Sequence, residues 1–250
     1  MRFGRYLRTI KTCCLVGHLD GYECDDLVVL WIGSRCCRLK ERLARASSFS
    51  SETSTAVSKA CAHNSFLLIL SENCMATVGV AAGLGLEDLS FVYFDAHDDP
   101  ETPSRNTNGY FDAMGMSMLK GESWHNLIAT VPGFKPLSLD RLVYCGLRDI
   151  SDESRQKVKD MKLDVVWGDS TKKVDFSTEL GNVLDTRALG CTHVHLDLDV
   201  LDDTLGKVND YPSLGGLLEI RIGSYQLHGT HTEEGSSNIS DGLFIRPSCR

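Results

Sequence analysis

Two segments far apart in the chain, Asp95-Ala96-His97-Asp98-Asp99 and His195-Leu196-Asp197-Leu198-Asp199, each follow a short apolar run with potential ligands set two residues apart: Asp95, His97 and Asp99 in the first, and Asp197 and Asp199 in the second. Carboxylates gathered in one cleft repel one another and must take up protons or gain cations to stay there. Two divalent ions would match four such groups in charge. Hard oxygen donors with one imidazole, His97, suit Mn2+ best and admit Mg2+, Zn2+ or Fe2+. Two ions about 3.5–4 Å apart can share a water and lower its pKa, which is hydrolytic chemistry. Taken singly, either segment also reads as a helix N-cap or a solvated turn. The pair together points to one metal site.

A sheet must position these groups. Apolar runs at Leu27–Ile32, Phe66–Leu70, Phe91–Phe94, Leu142–Cys145, Val165–Trp167 and Val194–Leu196 read as strands. They alternate with helix-like stretches at Ala76–Gly83, Ala113–Leu119, Asp152–Met161 and Thr178–Leu189. That alternation predicts an α/β domain, three-layer α/β/α with a mostly parallel sheet covered on both faces. Both acidic segments then fall at strand ends, the edge at which open α/β sheets bind ligands. Ser47–Ser58 is rich in Ser and Thr and reads as a loop with room for a short helix. Arg35–Arg45 is strongly basic and reads as a solvated helix face rather than a binding patch.

Composition bounds the function. At 250 residues and 42% hydrophobic content, one domain with a large core is expected. A formal charge of −8 argues against nucleic-acid binding. No apolar run approaches the roughly 20 residues of a membrane span, and the basic start with the short run Cys13–Gly17 does not read as a signal peptide. The ten cysteines follow no regular spacing, which suggests free thiols in a reducing, cytoplasmic setting.

From about Leu67 to Leu217 the chain resembles the ureohydrolases (arginase, agmatinase, formimidoylglutamase), most of all arginase. Phe94-Asp95-Ala96-His97-Asp98-Asp99 is similar to the family's D-A-H-x-D, and Leu196-Asp197-Leu198-Asp199-Val200-Leu201-Asp202 to its F-D-x-D-x-x-D. Tyr211-Pro212-Ser213-Leu214-Gly215-Gly216-Leu217 falls at T-P-x-x-G-G-L, and Val143-Tyr144-Cys145-Gly146-Leu147-Arg148-Asp149 at V-x-I-G-x-R-D. The resemblance implies that Asp95 and Asp197 bridge two Mn2+ ions, that His97 and Asp199 complete one, and that Asp99 helps hold the other. Against that family the chain is expected to divide into a divergent segment 1–64 and a core 65–223, and its His-, Ser-, Gly- and Thr-rich composition predicts a polar, poorly ordered tail 224–250.

The chain departs from that pattern at several positions. Cys74 stands where the family has the metal-binding histidine of L-G-G-D-H-S, so it is expected either as a soft ligand favouring Zn2+ or Fe2+ or as a small buried residue. At positions that in arginases hold an asparagine, a serine and a proton-shuttling histidine, this chain has Glu101, Asn108 and Asp112. Asp112 is expected to cap the helix at Ala113–Leu119 or to move a proton. Asp149 matches the family, whereas Ser151 replaces a second substrate-reading acid and Tyr211 replaces a threonine. The glutamate of E-x-N-P has no counterpart before Arg250. The implied reaction is hydrolysis of a guanidinium C–N bond in arginine or a related guanidino compound, with release of urea. Catalytic roles fall to Asp112, Glu101 and Asp99, and a homo-oligomer stays open. A degenerate relative that binds metal or a partner without turnover is the alternative, and a one-metal amide hydrolase using His97, Asp197 and Asp199 is a third.

Overall fold

The computed structural model describes residues 27–32, 39–63, 66–71, 74–85, 87–106, 110–187, 189–205 and 213–218. Six strands alternate with helices among them: β1 Leu27–Ile32, α1 Leu39–Ala62, β2 Phe66–Ser71, α2 Ala76–Leu84, β3 Ser90–Phe94, α3 Gly115–Leu119, α4 His125–Ile128, β4 Leu142–Cys145, α5 Asp152–Asp160, β5 Asp164–Val166, α6 Phe176–Asp185 and β6 Thr192–Leu196. Every strand pairing among the described residues is parallel. β1 pairs with β2, and a four-stranded sheet runs in the order β5-β4-β3-β6.

Period-two alternation explains the layers. Phe91 and Tyr93 of β3 pack on one face with Val78, Met114, Met116, Met118 and Leu119. Val92 and Phe94 point the other way, with Val143, Val166 and the α6 residues Leu180, Val183 and Leu184. Helices thus cover both faces, as the alternating pattern predicts. β3 and β4 lie at the centre of the larger sheet and are buried nearly throughout, as parallel strands covered on both faces must be.

The Ser/Thr-rich stretch does not form a loop. Residues 47–58 lie inside α1, a helix of 24 residues. The reason is on the facing helix: small residues let α1 and α2 approach closely. A Cβ on Gly83 would stand 2.5 Å from the Ser54 carbonyl oxygen, and one on Gly79 2.6 Å from that of Ser50. The α1 hydroxyls find nearby acceptors, Ser58 Oγ donating to Gly83 O at 2.8 Å and Ser54 Oγ to Pro132 O at 2.7 Å. Alanine in a helix gains about 1 kcal/mol over glycine, but overpacking a tight contact costs about 1–3 kcal/mol. The backbone contact cannot yield as a side chain would, so the clash wins. Gly83→Ala should lower the urea-unfolding midpoint, and an unchanged or higher midpoint would rule out this packing.

Candidate metal centre

In the β3/β6 register Tyr93 faces His195 and Phe94 faces Leu196. Asp95 and Asp197, the next residues, therefore leave the sheet side by side. Asp197 N–H donates to Phe94 O at 2.9 Å, and Asp95 N–H to Cys145 O at 3.1 Å. The two acidic segments, remote in sequence, meet at one carboxyl edge.

Their side chains interlock there. Asp95 is buried, and its Oδ1 accepts the His97 backbone N–H at 2.8 Å. His97 Nδ1 lies 3.1 Å from Asp199 Oδ2 and 3.4 Å from Asp95 Oδ1, while Nε2 lies 3.5 Å from Asp149 Oδ2. Asp199 Oδ1 accepts the Ala96 N–H at 3.2 Å, tying one segment to the other. Asp197 Oδ1 accepts the Asp199 N–H at 2.9 Å. Its Oδ2 accepts the Cys74 thiol at 3.0 Å. Asp99 sits at φ 43°, a backbone region unusual outside glycine, and its buried carboxylate accepts the Tyr93 hydroxyl at 2.8 Å.

The electrostatics are those of a cleft whose carboxylates must take up protons or gain cations. Burial, then the Asp99 charge, pushes the Asp95 carboxyl well above the ordinary carboxylate range. Burial raises Asp99 to about 8, and burial with the charge of Asp199 raises Asp197. Burial alone would lower His97, but the hydrogen bonds to Asp199 and Asp95 outweigh it and lift the imidazole to about 11. Burial likewise opposes ionisation of Asp199, yet His97 holds its pKa below the usual value. The Cys74 thiol is pushed well up, by burial first and then by Asp99, Asp197 and Asp95.

Two groups of donor atoms could each hold a metal ion among the described residues: Cys74, Asp95, His195 and Asp197, and Asp95, His97 and Asp199. Asp95 belongs to both. The fit to cations rests on buried atoms left without a protein partner, Asp95 Oδ2 and His195 Nε2, which face each other at 3.8 Å. Cys74, Asp95, His97, Asp197 and Asp199 are thus brought together, and Asp99 stands beside them, outside both groups, on Tyr93. The sequence reading gave His195 no role. Its signal was spacing, since residues two apart on a strand share a face and His195 precedes Asp197 by two.

The remaining expected residues have varied settings. Asp112 does not cap the following helix. It lies inside a 3-10 turn, Asp112–Met114, with no side-chain cap, and its Oδ1 accepts the Cys74 backbone N–H at 2.9 Å. The cap is lost to a better-placed donor, the backbone amide of a residue in the site. Glu101 is half-buried, its N–H donating to Ala113 O at 2.8 Å and its carbonyl accepting Ser117 Oγ at 2.6 Å. Asp149 is exposed beside His97. Ser151 is the N-cap of α5, its hydroxyl accepting the Ser154 N–H at 3.1 Å. Asn108, Tyr211 and the tail 224–250 lie outside the described residues.

Two residues quoted in the motifs but given no role turn out to hold the site in place. Arg148 Nη1 donates to the carbonyls of Gly146 at 3.0 Å and Val200 at 3.2 Å. Its Nη2 donates to Asp199 at 2.7 Å, Leu201 at 2.9 Å and Ser213 at 3.0 Å. Asp202 Oδ2 accepts the Gly215 N–H at 2.6 Å and the Gly216 N–H at 3.2 Å, fixing the turn that Arg148 also grips.

A parallel sheet with helices on both faces, its carboxylate-rich edge offering two groups of donors that could hold metal ions, defines a three-layer α/β/α architecture. The family model for the arginase family matches residues 7–217, and the chain belongs to that family. It is 26% identical over 183 residues to an arginase of Staphylococcus aureus, covering 70% of this chain and 60% of that protein. It is 26% identical over 204 residues to an arginase of Bacillus subtilis, covering 78% of this chain and 66% of that one. A crystal structure of arginase from Bacillus subtilis superposes with a TM-score of 0.65 at 22% identity, over 74% of this chain and 65% of that chain, and so shares the fold. The chain spans less than two thirds of the length of these relatives. Of the four cysteines among the described residues, Cys61, Cys74 and Cys145 are free, but Cys191 is disulfide-bonded, which departs from the expectation of free thiols. No described helix is long and apolar enough to cross a membrane.

Proposed function

We propose that this chain is an arginase-like, metal-dependent hydrolase of a guanidinium C–N bond, releasing urea from arginine or a related small guanidino compound. The observation that carries the reading is the side-by-side exit of Asp95 and Asp197 from neighbouring strands into a buried cluster of carboxylates. Divalent ions held by Cys74, Asp95, His97, Asp197 and Asp199 would supply Lewis acidity and an activated water. The hard group of Asp95, His97 and Asp199 suits Mn2+.

The chain's own residues supply the rest. Asp95 and Asp199 hold the His97 ring from one side, and Asp149 stands at its far nitrogen, open to solvent where a substrate would arrive. Asp112 is raised above the usual carboxylate range by burial, partly offset by the Tyr110 side chain and the Cys74 amide. A carboxyl so raised can carry a proton to a leaving amine. Glu101 is the other acid on the loop that follows the site, close enough in sequence to Asp99 to meet a guanidinium cation.

The purified chain, loaded with Mn2+, should release urea from arginine or agmatine, and Asp197→Ala should reduce that release to background. A metal-loaded parent that yields no urea from either compound would leave a metal-binding relative without turnover.

A further inference from the structure

His195 stands in a setting that a core histidine does not need. It lies on β6 opposite Tyr93, and the two rings stack with centroids 4.1 Å apart and planes 14° from parallel. Stacking fixes the ring plane, and Tyr93 is itself tethered through its hydroxyl to Asp99. The fixed imidazole holds Nε2 toward Asp95 Oδ2 at 3.8 Å, too long for a hydrogen bond. Both atoms are buried and lack a partner. Leaving a buried polar group unsatisfied is costly, and here two such atoms point at each other. Two donors each about 2.1 Å from a tetrahedral ion stand about 3.4 Å apart, so one ion between them would satisfy both. Cys74 Sγ and Asp197 complete the set, the four donor atoms all lying within 4.8 Å of one another.

Resting on the reading that this cleft holds divalent ions, we propose that His195 is a metal ligand and that Cys74, Asp95, His195 and Asp197 form a thiolate–imidazole–carboxylate site for a borderline ion of the Zn2+ class. Sulfur and nitrogen donors favour Zn2+, Co2+ or Fe2+ over Mn2+. The neighbouring group of Asp95, His97 and Asp199 has no sulfur and stays hard. The centre is therefore asymmetric: one soft and one hard position joined by Asp95, each able to take a different metal.

The test uses the full chain stripped with a chelator and titrated with Co2+, the spectroscopic stand-in for Zn2+. One equivalent should bring up a strong near-ultraviolet thiolate-to-cobalt charge-transfer band. Zn2+ should displace it, and Cys74→Ser should lack it. His195→Ala should weaken Zn2+ binding by at least the roughly 10–100-fold that even outer-shell losses cost. X-ray absorption of the Zn2+-loaded parent needs no variant to fold. It should show one sulfur at about 2.3 Å together with imidazole scattering. A shell of oxygen alone, or His195→Ala binding Zn2+ as tightly as the parent, overturns the assignment. Urea assays separate it from the proposed reaction: the cobalt band without urea release keeps the ligand set and rejects the reaction, and urea release with no sulfur in the metal shell does the reverse.

Discussion

Arg148→Met should lower stability by about 3–5 kcal/mol, roughly the worth of two charge-assisted hydrogen bonds. The guanidinium makes five, to Gly146, Val200, Asp199, Leu201 and Ser213, but bonds shared by one side chain do not add. The larger effect is positional. Three of these carbonyls, of Asp199, Val200 and Leu201, belong to the turn after β6, the segment whose side chains Asp197 and Asp199 enter the candidate metal centre, while Gly146 follows β4. Without the guanidinium that turn loses its anchor to the end of β4, and the carboxylates lose the geometry that a metal ion needs. Burial lowers the Arg148 pKa, although surrounding carboxylates favour its charge, so the side chain is held there at some desolvation cost. Arg148→Lys should recover little, because a point charge on a flexible stem cannot reach carbonyls spread over a fork. Urea denaturation followed by circular dichroism gives both midpoints. Midpoints equal to the parent's would show that the turn is held by something else.

What the sequence made legible follows from what each signal depends on. The strands were readable because buried parallel strands must be short apolar runs, and Leu27–Ile32 and Leu142–Cys145 coincide with β1 and β4. The acidic strand ends were readable because like charges at that spacing need a reason to exist. The Ser47–Ser58 stretch of α1 reads as a loop because Ser and Thr favour loops on average, and only the glycines of α2, more than twenty residues on, make a helix face of small residues useful. His195 was passed over for a related reason. A histidine in an apolar run is ordinarily core, and its role depends on the neighbour it meets across the sheet. The resemblance places a histidine at position 74, where this chain has cysteine, and the structure brings a different histidine to the same cluster. Arg148 and Asp202 act on backbone carbonyls and amides, which every residue has. No residue pattern marks which ones will be in reach.

Asp95→Asn should abolish metal-dependent stabilisation and leave the metal-free chain no less stable than the metal-free parent. Asp95 is the one residue common to both donor groups, so its loss touches both positions at once. Asparagine keeps the shape, and its side-chain carbonyl can still accept the His97 N–H that Asp95 Oδ1 takes at 2.8 Å. What it removes is a charge. In the metal-free chain that charge is unfavourable, since burial and Asp99 already push the Asp95 carboxyl toward its neutral form. In the loaded chain the same charge is what binds. A ligand present at 100 times its Kd stabilises the folded state by about 2.7 kcal/mol. The parent should therefore show a clear upward shift in melting temperature with Mn2+ or Zn2+, and the variant almost none. The two melting curves without metal should coincide, or the variant should melt higher. If Asp95→Asn keeps the parent's full metal-induced shift, the cations bind elsewhere and this cleft is not the centre. If it melts well below the parent without metal, the pairing of the Asp95 carboxylate with His97 outweighs the cost of burying its charge.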